Sequence, residues 1–468
     1  MRLLVTCVAA LPLLHANLAA AQPRTIQDAL SAAYSTNPTL QTARAQLRST
    51  DEGVPQALAG WRPTVIIAST AGGVVGDVTT LQGVAGTQGL QSVTARNNRP
   101  VTTNQVTVTQ PFYSGGATRS GTNRADNQVF GQRGRLVASE QTVFTSVVNA
   151  YVNVIQSQQV LQLNINNEQV LTRQLQATND RFRVGEITRT DVAQAEAALA
   201  GARATRQTSE GNLQTARSQY RQFVGELPDQ LIEPQPLKLP VKNQAEAIQL
   251  AAQNNPNVIA ALFDDAAARD NIDLQFSALM PQVSFQAQAA QLEGTTTVGV
   301  STRSAQLIVS ASIPLYQGGA EYSRVRQARQ QQQQTRKIVD DQRRQAIQQA
   351  TQAWETLVSA RATADSTRSA IRANQIALEG VQREAIVGSR TTLDVLNAEQ
   401  ALLNSRVTLV QNLAAYINAS YAVAAAIGRL TARDLSLNVP LYDETAYYNA
   451  VRQKLFGTGD YAVNQPGR

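Results

Sequence analysis

Two aspartates follow two glycine turns at the same spacing, and they carry the most clearly defined chemistry in the chain. Asp191 lies six residues after Gly185, and Asp394 lies six residues after Gly388. Both fall in the first turns of predicted helices, where the helix dipole stabilises a carboxylate by about 0.3–1 kcal/mol. Glycine suits the turns before them because it adopts positive φ without a steric penalty. The residues alone therefore indicate a structural role for both aspartates.

Two pairs of adjacent acids could suggest metal binding or acid–base catalysis. These are Asp264-Asp265 and Asp340-Asp341. Adjacent residues of a helix point in different directions, so neither pair converges on one ligand. We expect both pairs to be solvated surface.

The single histidine and the single cysteine both lie near the start of the chain, at His15 and Cys7. An apolar run from Leu3 to Leu14 is followed by Ala19-Ala20-Ala21, so residues 1–21 are predicted to be a secretory signal peptide. The mature chain would then lack both residue types. That excludes disulfides, thiol catalysis, histidine acid–base catalysis and ordinary zinc or copper sites. No cofactor and no enzymatic activity are expected.

The charge pattern argues against a nucleic-acid partner. The formal charge of +7 falls to +6 without Arg2, the charges are spread along predicted helices, and aromatic residues are only 5% of the chain. Nucleic-acid binders more often cluster basic residues with stacking aromatics. After the predicted signal no run of about 18 apolar residues occurs, so no transmembrane helix is expected.

The chain contains an internal duplication. Residues in the first half recur 203 positions later: Pro111, the Tyr113-x-Gly115-Gly116-Ala117 sequence, Val184-Gly185, Asp191-Val192 and Gly225 match Pro314, Tyr316-x-Gly318-Gly319-Ala320, Val387-Gly388, Asp394-Val395 and Gly428. A long gapless self-match indicates two copies of one structural unit. An Asn-Pro pair, Asn37-Pro38 and Asn255-Pro256, also recurs before the matched region.

Each half is predicted to contain a long helical hairpin bent at its glycine. In the second return helix an apolar stripe alternates three- and four-residue steps, the pattern of a helix packed lengthwise on another helix. The stripe comprises Leu393, Leu396, Gln400, Leu403, Val407, Val410, Ala414, Ile417, Tyr421 and Ala424. Residues 117–184 predict a helix of up to roughly 100 Å, with a shorter return helix at about 190–224.

Four runs of alternating polarity predict β-strands. The clearest are 283–289 and 305–313, with weaker versions at 64–70 and 101–112. Each is about ten residues, which suits a tilted transmembrane strand, although the edge of a soluble β-sandwich has the same period. The Gly-rich segment between Ala71 and Leu90 is expected to be a long exposed loop. Four aromatic residues at the strand–helix junctions suit either a membrane-interface girdle or ordinary packing: Trp61, Phe112, Tyr113 and Tyr316.

Four strands cannot close a membrane barrel, which needs about eight or more. An open edge in lipid would leave backbone groups unpaired, at several kcal/mol each. If the strands lie in a membrane, several chains must therefore share one barrel, and three chains would supply twelve strands. The helices are rich in Ala, Gln and Arg and have narrow apolar stripes, which suits helices standing around a water-filled lumen.

The duplicated Asn-Pro helix, the Tyr-x-Gly-Gly-Ala sequence and the Val-Gly-x-x-x-x-x-Asp-Val sequence resemble the TolC-like outer-membrane channel (outer membrane efflux protein) family. The resemblance spans nearly all of residues 25–430. It implies an α+β membrane protein: a homotrimer whose long α-helical hairpins form a periplasmic α-barrel, joined to a shared 12-stranded transmembrane β-barrel in the lipid of the outer membrane. The implied partners are a periplasmic adaptor (membrane fusion protein) and an inner-membrane ABC or proton-driven transporter.

The resemblance also implies roles at the hairpin bends. Asp394 matches a ring of acids that closes the periplasmic end, and Arg390 matches an arginine that ties neighbouring tips together, with Asp191 as its expected partner. The family often has a second acid where this chain has Asn397, and a tyrosine where it has Ala385, so fewer contacts would hold the closed state. The tip turns, with the adjacent positions expected to dock the adaptor, are Val184, Gly185, Val387, Gly388 and Ser389.

The predicted organisation is a signal peptide at 1–21, a first repeat at 22–225, a Pro-rich linker at 226–242, a second repeat at 243–430, and a C-terminal segment with a partly disordered tail at 431–468. The end of the chain, at 439–443 and 454–457, resembles members that serve type I protein secretion. A passive outer-membrane pore is the nearest alternative, although its periplasmic turns would be short. A periplasmic coiled-coil adaptor would explain the heptads but not the four strands.

Overall fold

The computed structural model describes residues 24–83, 85–86, 89–295, 299–459 and 461–462. The predicted signal peptide, with Cys7 and His15, lies outside these residues, as does the end of the tail from 463. No helix in the described ranges is both long enough and apolar enough to cross a membrane.

The first repeat begins with short helices and continues through two strands into a long helical hairpin. Its elements are α1 (Ile26–Thr36), α2 (Pro38–Asp51), α3 (Gly53–Leu58), a 3₁₀ turn (Ala59–Trp61), β1 (Thr64–Gly83), β2 (Leu90–Ser114), α4 (Ala117–Arg183) and α5 (Arg189–Val224). Helix α4 has 67 residues, or about 100 Å at 1.5 Å per residue, as predicted.

The second repeat has the same order of elements. They are α6 (Gln244–Asn254), α7 (Pro256–Phe276), a 3₁₀ turn (Ser277–Leu279), β3 (Gln282–Glu293), β4 (Ser301–Ser312), α8 (Ala320–Ile386) and α9 (Thr392–Ala426). A short helix, α10 (Ala446–Val451), follows in the C-terminal segment. Helix α8 also has 67 residues, and the predicted bend at Gly388 separates it from α9.

The duplicated Asn-Pro pairs do more than stop a helix. In each pair the asparagine caps the next helix: the Asn37 side chain accepts from Thr39 N–H, and that of Asn255 accepts from Asn257 N–H. The amide of Asn37 also donates to the carbonyl of Phe223, near the end of α5. The pair therefore joins the short helices to the base of the hairpin.

Each hairpin is held along its length by a narrow interface that includes one matched polar contact. In the first repeat Asn164 donates to the Ser209 hydroxyl at 2.7 Å. At the equivalent positions of the second repeat the roles are exchanged, and Asn412 donates to the Thr367 hydroxyl at 2.9 Å. Near the tips the two hairpins also pack on each other through an apolar cluster of Leu171, Leu199, Ala202 and Leu396.

The four strands form one antiparallel sheet in the order β1-β2-β3-β4. The pairing places apolar residues in rows across one face, for example Val65, Val108, Ala287 and Leu307. The opposite face carries polar rows such as Thr107, Gln288 and Gln306. The alternation predicted from the sequence is thus in register across all four strands, and the α+β fold class is confirmed.

The prediction of a long loop at Ala71–Leu90 was wrong. Strand β1 continues to Gly83, and β2 starts at Leu90 and runs 25 residues to Ser114. Both strands are longer than the predicted ten residues because they pair with each other beyond the end of β3 and β4. Glycines at 72, 73 and 76 obscured this extension, since glycine weakens the expectation of a strand.

The predicted surface role of Asp264-Asp265 was also wrong. Asp265 is only 3% exposed, and its carboxylate binds Arg269 on the same helix and the side-chain amide of Gln332 on α8. Asp264 pairs with Arg135 of α4. The two carboxylates do point in different directions, but each meets a neighbouring helix rather than water.

The main core lies where α4 passes the short helices and α5, around Phe144, Val147, Tyr151 and Tyr220. The C-terminal segment packs on this region. There the guanidinium of buried Arg44 lies 4.5 Å from the Tyr34 ring centre and 5.3 Å from that of Tyr442.

A further contact fixes the start of the C-terminal segment. The backbone N–H of Ala432 donates to the carboxyl of Glu140 at 2.6 Å, and burial raises the pKa of Glu140 to about 7. The segment therefore covers the first repeat and helps to seal its core.

The four aromatic residues at the strand–helix junctions are exposed in the single chain. Phe112 lies beside Phe285 with ring centres 6.3 Å apart, while Tyr316 extends from the segment between β4 and α8. Their exposure favours an interface girdle over packing at a domain junction.

Candidate functional site

The two hairpin bends have nearly identical backbones. Gly185 has φ +81° and Gly388 has φ +83°. At the first bend Gly185 N–H donates to Phe182 O and Glu186 N–H to Arg181 O; at the second, Gly388 N–H donates to Ala385 O and Ser389 N–H to Glu384 O. A Cβ added to either glycine would meet no atom within 4 Å. The positive φ, rather than lack of space, is therefore what requires glycine.

Asp191 and Asp394 each complete a capping box at the start of the return helix. The Asp394 carboxylate accepts from the N–H and the hydroxyl of Thr391, both at 2.9 Å, and Asp394 N–H donates back to that hydroxyl at 3.2 Å. Asp191 and Thr188 form the same arrangement. These hydrogen bonds lower the pKa of both aspartates. The Thr-x-x-Asp spacing of a capping box was present in the sequence, although the analysis above used only the dipole.

Arg390 and Asp191 do not meet within the chain. The Arg390 guanidinium binds Glu384, on its own hairpin, with 2.9 Å between Nε and Oε2. The first hairpin has a comparable pair, Arg181 and Glu186, at 2.7 Å. Each tip thus closes on an exposed ion pair of small stability. Sequence reasoning missed Glu384 because the pair forms only when the bend returns Arg390 past the end of α8.

The outermost tip residues are apolar and exposed. Val184 and Val387, the residues before the two glycines, are 78% and 79% exposed, and Ile386 is similarly open. Ser389 is also exposed, and its hydroxyl donates to Glu384 O at 3.0 Å. Asn397 lies one turn after Asp394 and is exposed, while Ala385 is buried. The structure therefore gathers every predicted tip residue at one end of the molecule, with the β-sheet at the other.

This arrangement has no apparatus for catalysis or metal binding. Within the described ranges, no group of three or more His, Cys, Asp or Glu side chains is placed to hold a metal ion. The bends offer a capped turn, an ion pair and an exposed apolar residue. Those features suit contact with another protein surface.

Comparisons with known proteins agree with this picture. A family model described as "Outer membrane efflux protein" matches residues 29–226 and 247–429. Outer membrane efflux protein BepC of Brucella suis biovar 1 is 35% identical over 442 residues, which cover 94% of this chain and 92% of BepC. Outer membrane protein TolC of Escherichia coli is 25% identical over 63% of each protein. The solved structure of outer membrane protein VceC from Vibrio cholerae superimposes with a TM-score of 0.72 at 20% identity, covering 86% of this chain and 96% of VceC.

The family match covers both repeats, and the resemblance to the TolC-like channels is confirmed. The structural match extends over the sheet and the long hairpins together, so the shared feature is the whole fold. The chain belongs to the outer membrane efflux protein family and is a non-enzymatic export channel of the outer membrane that reaches into the periplasm.

Proposed function

We propose that three copies of this chain form a duct that docks a periplasmic adaptor and an inner-membrane transporter, and that the hairpin tips gate it. The observation that carries the trimer is the sheet. Within the described chain its outer strands, β1 and β4, each have one edge without a strand partner. Lipid cannot satisfy those backbone groups. Pairing β1 of one copy with β4 of the next closes a ring of twelve strands.

The tips support the docking half of the proposal. Val184, Ile386 and Val387 are exposed at the end farthest from the sheet, and each tip is fixed by a capping box and an ion pair. Apolar side chains on a rigid turn are the kind of surface that another protein can bury at little entropic cost. The partner we propose is the helical hairpin of an adaptor protein, because the heptad pattern continues almost to the bend.

A single-cysteine crosslink tests the docking. We expect Ser389→Cys, in intact cells with a short thiol crosslinker, to capture a periplasmic adaptor that mass spectrometry then identifies. Capture of an adaptor from an ATP-driven system would indicate a protein cargo and would support the type I resemblance of the C-terminal segment. Capture of an adaptor from a proton-driven pump would indicate small toxic molecules instead.

The matched control is Ser323→Cys, another exposed serine, in the first turn of α8 and roughly 95 Å from the tip along the helix. Docking at the tips predicts that only Ser389→Cys captures the adaptor. Failure of Ser389→Cys to capture any partner, while its thiol reacts with a soluble reagent, would contradict docking and favour a passive pore.

The gate makes a separate prediction about Asp394. In a trimer three Asp394 carboxylates would face the same axis and attract cations, although in one chain the carboxylate serves as a helix cap. We expect Asp394→Asn to weaken block of the channel by a trivalent cation at least tenfold, because the charge is lost. Block would be measured by conductance in planar bilayers.

The comparison of two substitutions separates charge from capping. Asp394→Asn keeps a side-chain oxygen for Thr391 N–H, whereas Asp394→Ala removes both the charge and the cap. A ring of charge predicts that both variants lose the block equally. If Asp394→Asn is blocked like the unchanged channel and only Asp394→Ala differs, Asp394 acts as a cap and not as a gate.

A further inference from the structure

The β1–β2 pair continues well beyond the rest of the sheet. Strand β3 pairs with β2 only up to Thr102, and β4 ends at the same level. Above it, residues 72–83 and 90–101 pair only with each other, from Gly72–Val101 to Gly83–Leu90. We call this part the ribbon. Twelve residues at about 3.4 Å each give it a length of about 40 Å. The helices join the opposite end of the sheet, so the ribbon stands on the outer side of the membrane.

The apolar side of the sheet changes face in the ribbon. Within the sheet, the face shared by Thr107, Gln288 and Gln306 is polar and would line the lumen. The unbroken β1–β2 register lets the same face be followed upward. In the ribbon this inner face carries an apolar cluster: Val74, Val78, Val93 and Ala95.

The outer face of the ribbon is more polar than the lipid-facing rows below it. Asp77 lies opposite Arg96, and the hydroxyls of Thr79 and Thr94 are 2.8 Å apart. Val75 and Leu81 lie on this face among those polar residues. A charged pair pointing outward and an apolar cluster pointing inward suit water outside the ribbon and protein contact on its inner side.

The base of the ribbon is built to bend. Gly72 and Gly73 lie at the level where β3 stops, and Gly73 pairs with Pro100, which has no N–H to donate. On the other side the turn between β3 and β4 supports the base: Arg99 donates to Thr295 O, and a Cβ on Gly294 would lie 2.0 Å from Pro100 O. The ribbon is thus anchored at one point and flexible just above it.

We infer that the ribbons of three copies lean together over the barrel and bury their inner apolar clusters against one another, forming a constriction at the outer mouth. The inference rests on the trimer proposed above. A two-stranded ribbon alone in water is marginally stable, so an apolar partner is needed. Each copy supplies such a partner across the axis. A 12-stranded barrel with strands about 4.8 Å apart and tilted about 40° has a radius of about 12 Å, so a lean of about 15–20° brings 40 Å ribbons into contact.

Adjacent residues on β1 provide a matched test, because their side chains point to opposite faces. In a Cys7→Ser background, Val78→Cys places a thiol on the inner face and Thr79→Cys places one on the outer face. We expect mild oxidation of the assembled protein to link Val78→Cys into disulfide-bonded dimers and to leave Thr79→Cys unlinked. Oxidised Val78→Cys should also show a several-fold lower conductance that a reducing agent restores.

Native mass measurement of the same samples separates this inference from the trimer. An intact trimer in which Val78→Cys stays unlinked, or in which both variants link equally, overturns the constriction and leaves the duct in place. A protein that forms no trimer overturns both. Linking that is confined to Val78→Cys within a trimer supports both.

Discussion

Replacing Ala287 with arginine is expected to prevent most of the protein from assembling in the membrane. Ala287 lies in the middle of β3 on the apolar face, in a row with Val108 and Leu307. An arginine at mid-membrane on the lipid-facing side of a barrel costs about 2–4 kcal/mol. Three symmetric copies multiply that cost in a trimer. The measurement is the folding free energy into lipid vesicles, followed by denaturant titration, together with the yield of trimer from outer membranes.

The adjacent residue is the control. Gln288→Arg introduces the same side chain one position along the strand, on the polar face between Thr107 and Gln306. We expect it to assemble with a loss below about 1 kcal/mol and to shift the channel towards anion selectivity, because the new charge faces water. Equal losses for the two variants would mean that the sheet does not have one face in lipid.

Gly428→Ala is expected to destabilise the protein far more than the equivalent change in the first repeat, Gly225→Ala. Both glycines end a return helix with positive φ, at +78° and +97°. An alanine pays about 1–2 kcal/mol for that conformation at either site. At Gly428 the new methyl group would also lie 2.4 Å from Asn254 O, a backbone atom, whereas at Gly225 the nearest atom is Thr36 Oγ1 at 3.5 Å.

The carbonyl of Asn254 has little freedom to retreat. It ends α6 immediately before Asn255, which caps α7 and whose side-chain amide lies 3.5 Å from Ala426 O. Overpacking a fixed site costs about 1–3 kcal/mol more. Thermal and urea unfolding of the two variants, with matched detergent and protein concentrations, measure the difference. Similar midpoints for both would show that α6 can shift away from the end of α9.

The duplication, the hairpins and the alternating strands could be predicted because their signals are local or periodic. A glycine with a required positive φ, an apolar residue every three to four positions, and alternation at period two each reflect the geometry of one element. The tip residues Gly185, Gly388, Asp191 and Asp394 could be located for the same reason, since each sits at a fixed distance from a turn. The Thr-x-x-Asp capping boxes were equally readable.

Tertiary structure decided the features that depend on which elements meet. Arg390 binds Glu384, Asp265 is buried against α8, and Glu140 receives the N–H of Ala432 from nearly 300 residues away. The ribbon depends on a pairing of β1 with β2 that outweighs three glycines in its first five residues. Local sequence sets the conformations available to each segment. The partner of a side chain is set by packing between segments distant in the chain, so only the folded chain fixes it.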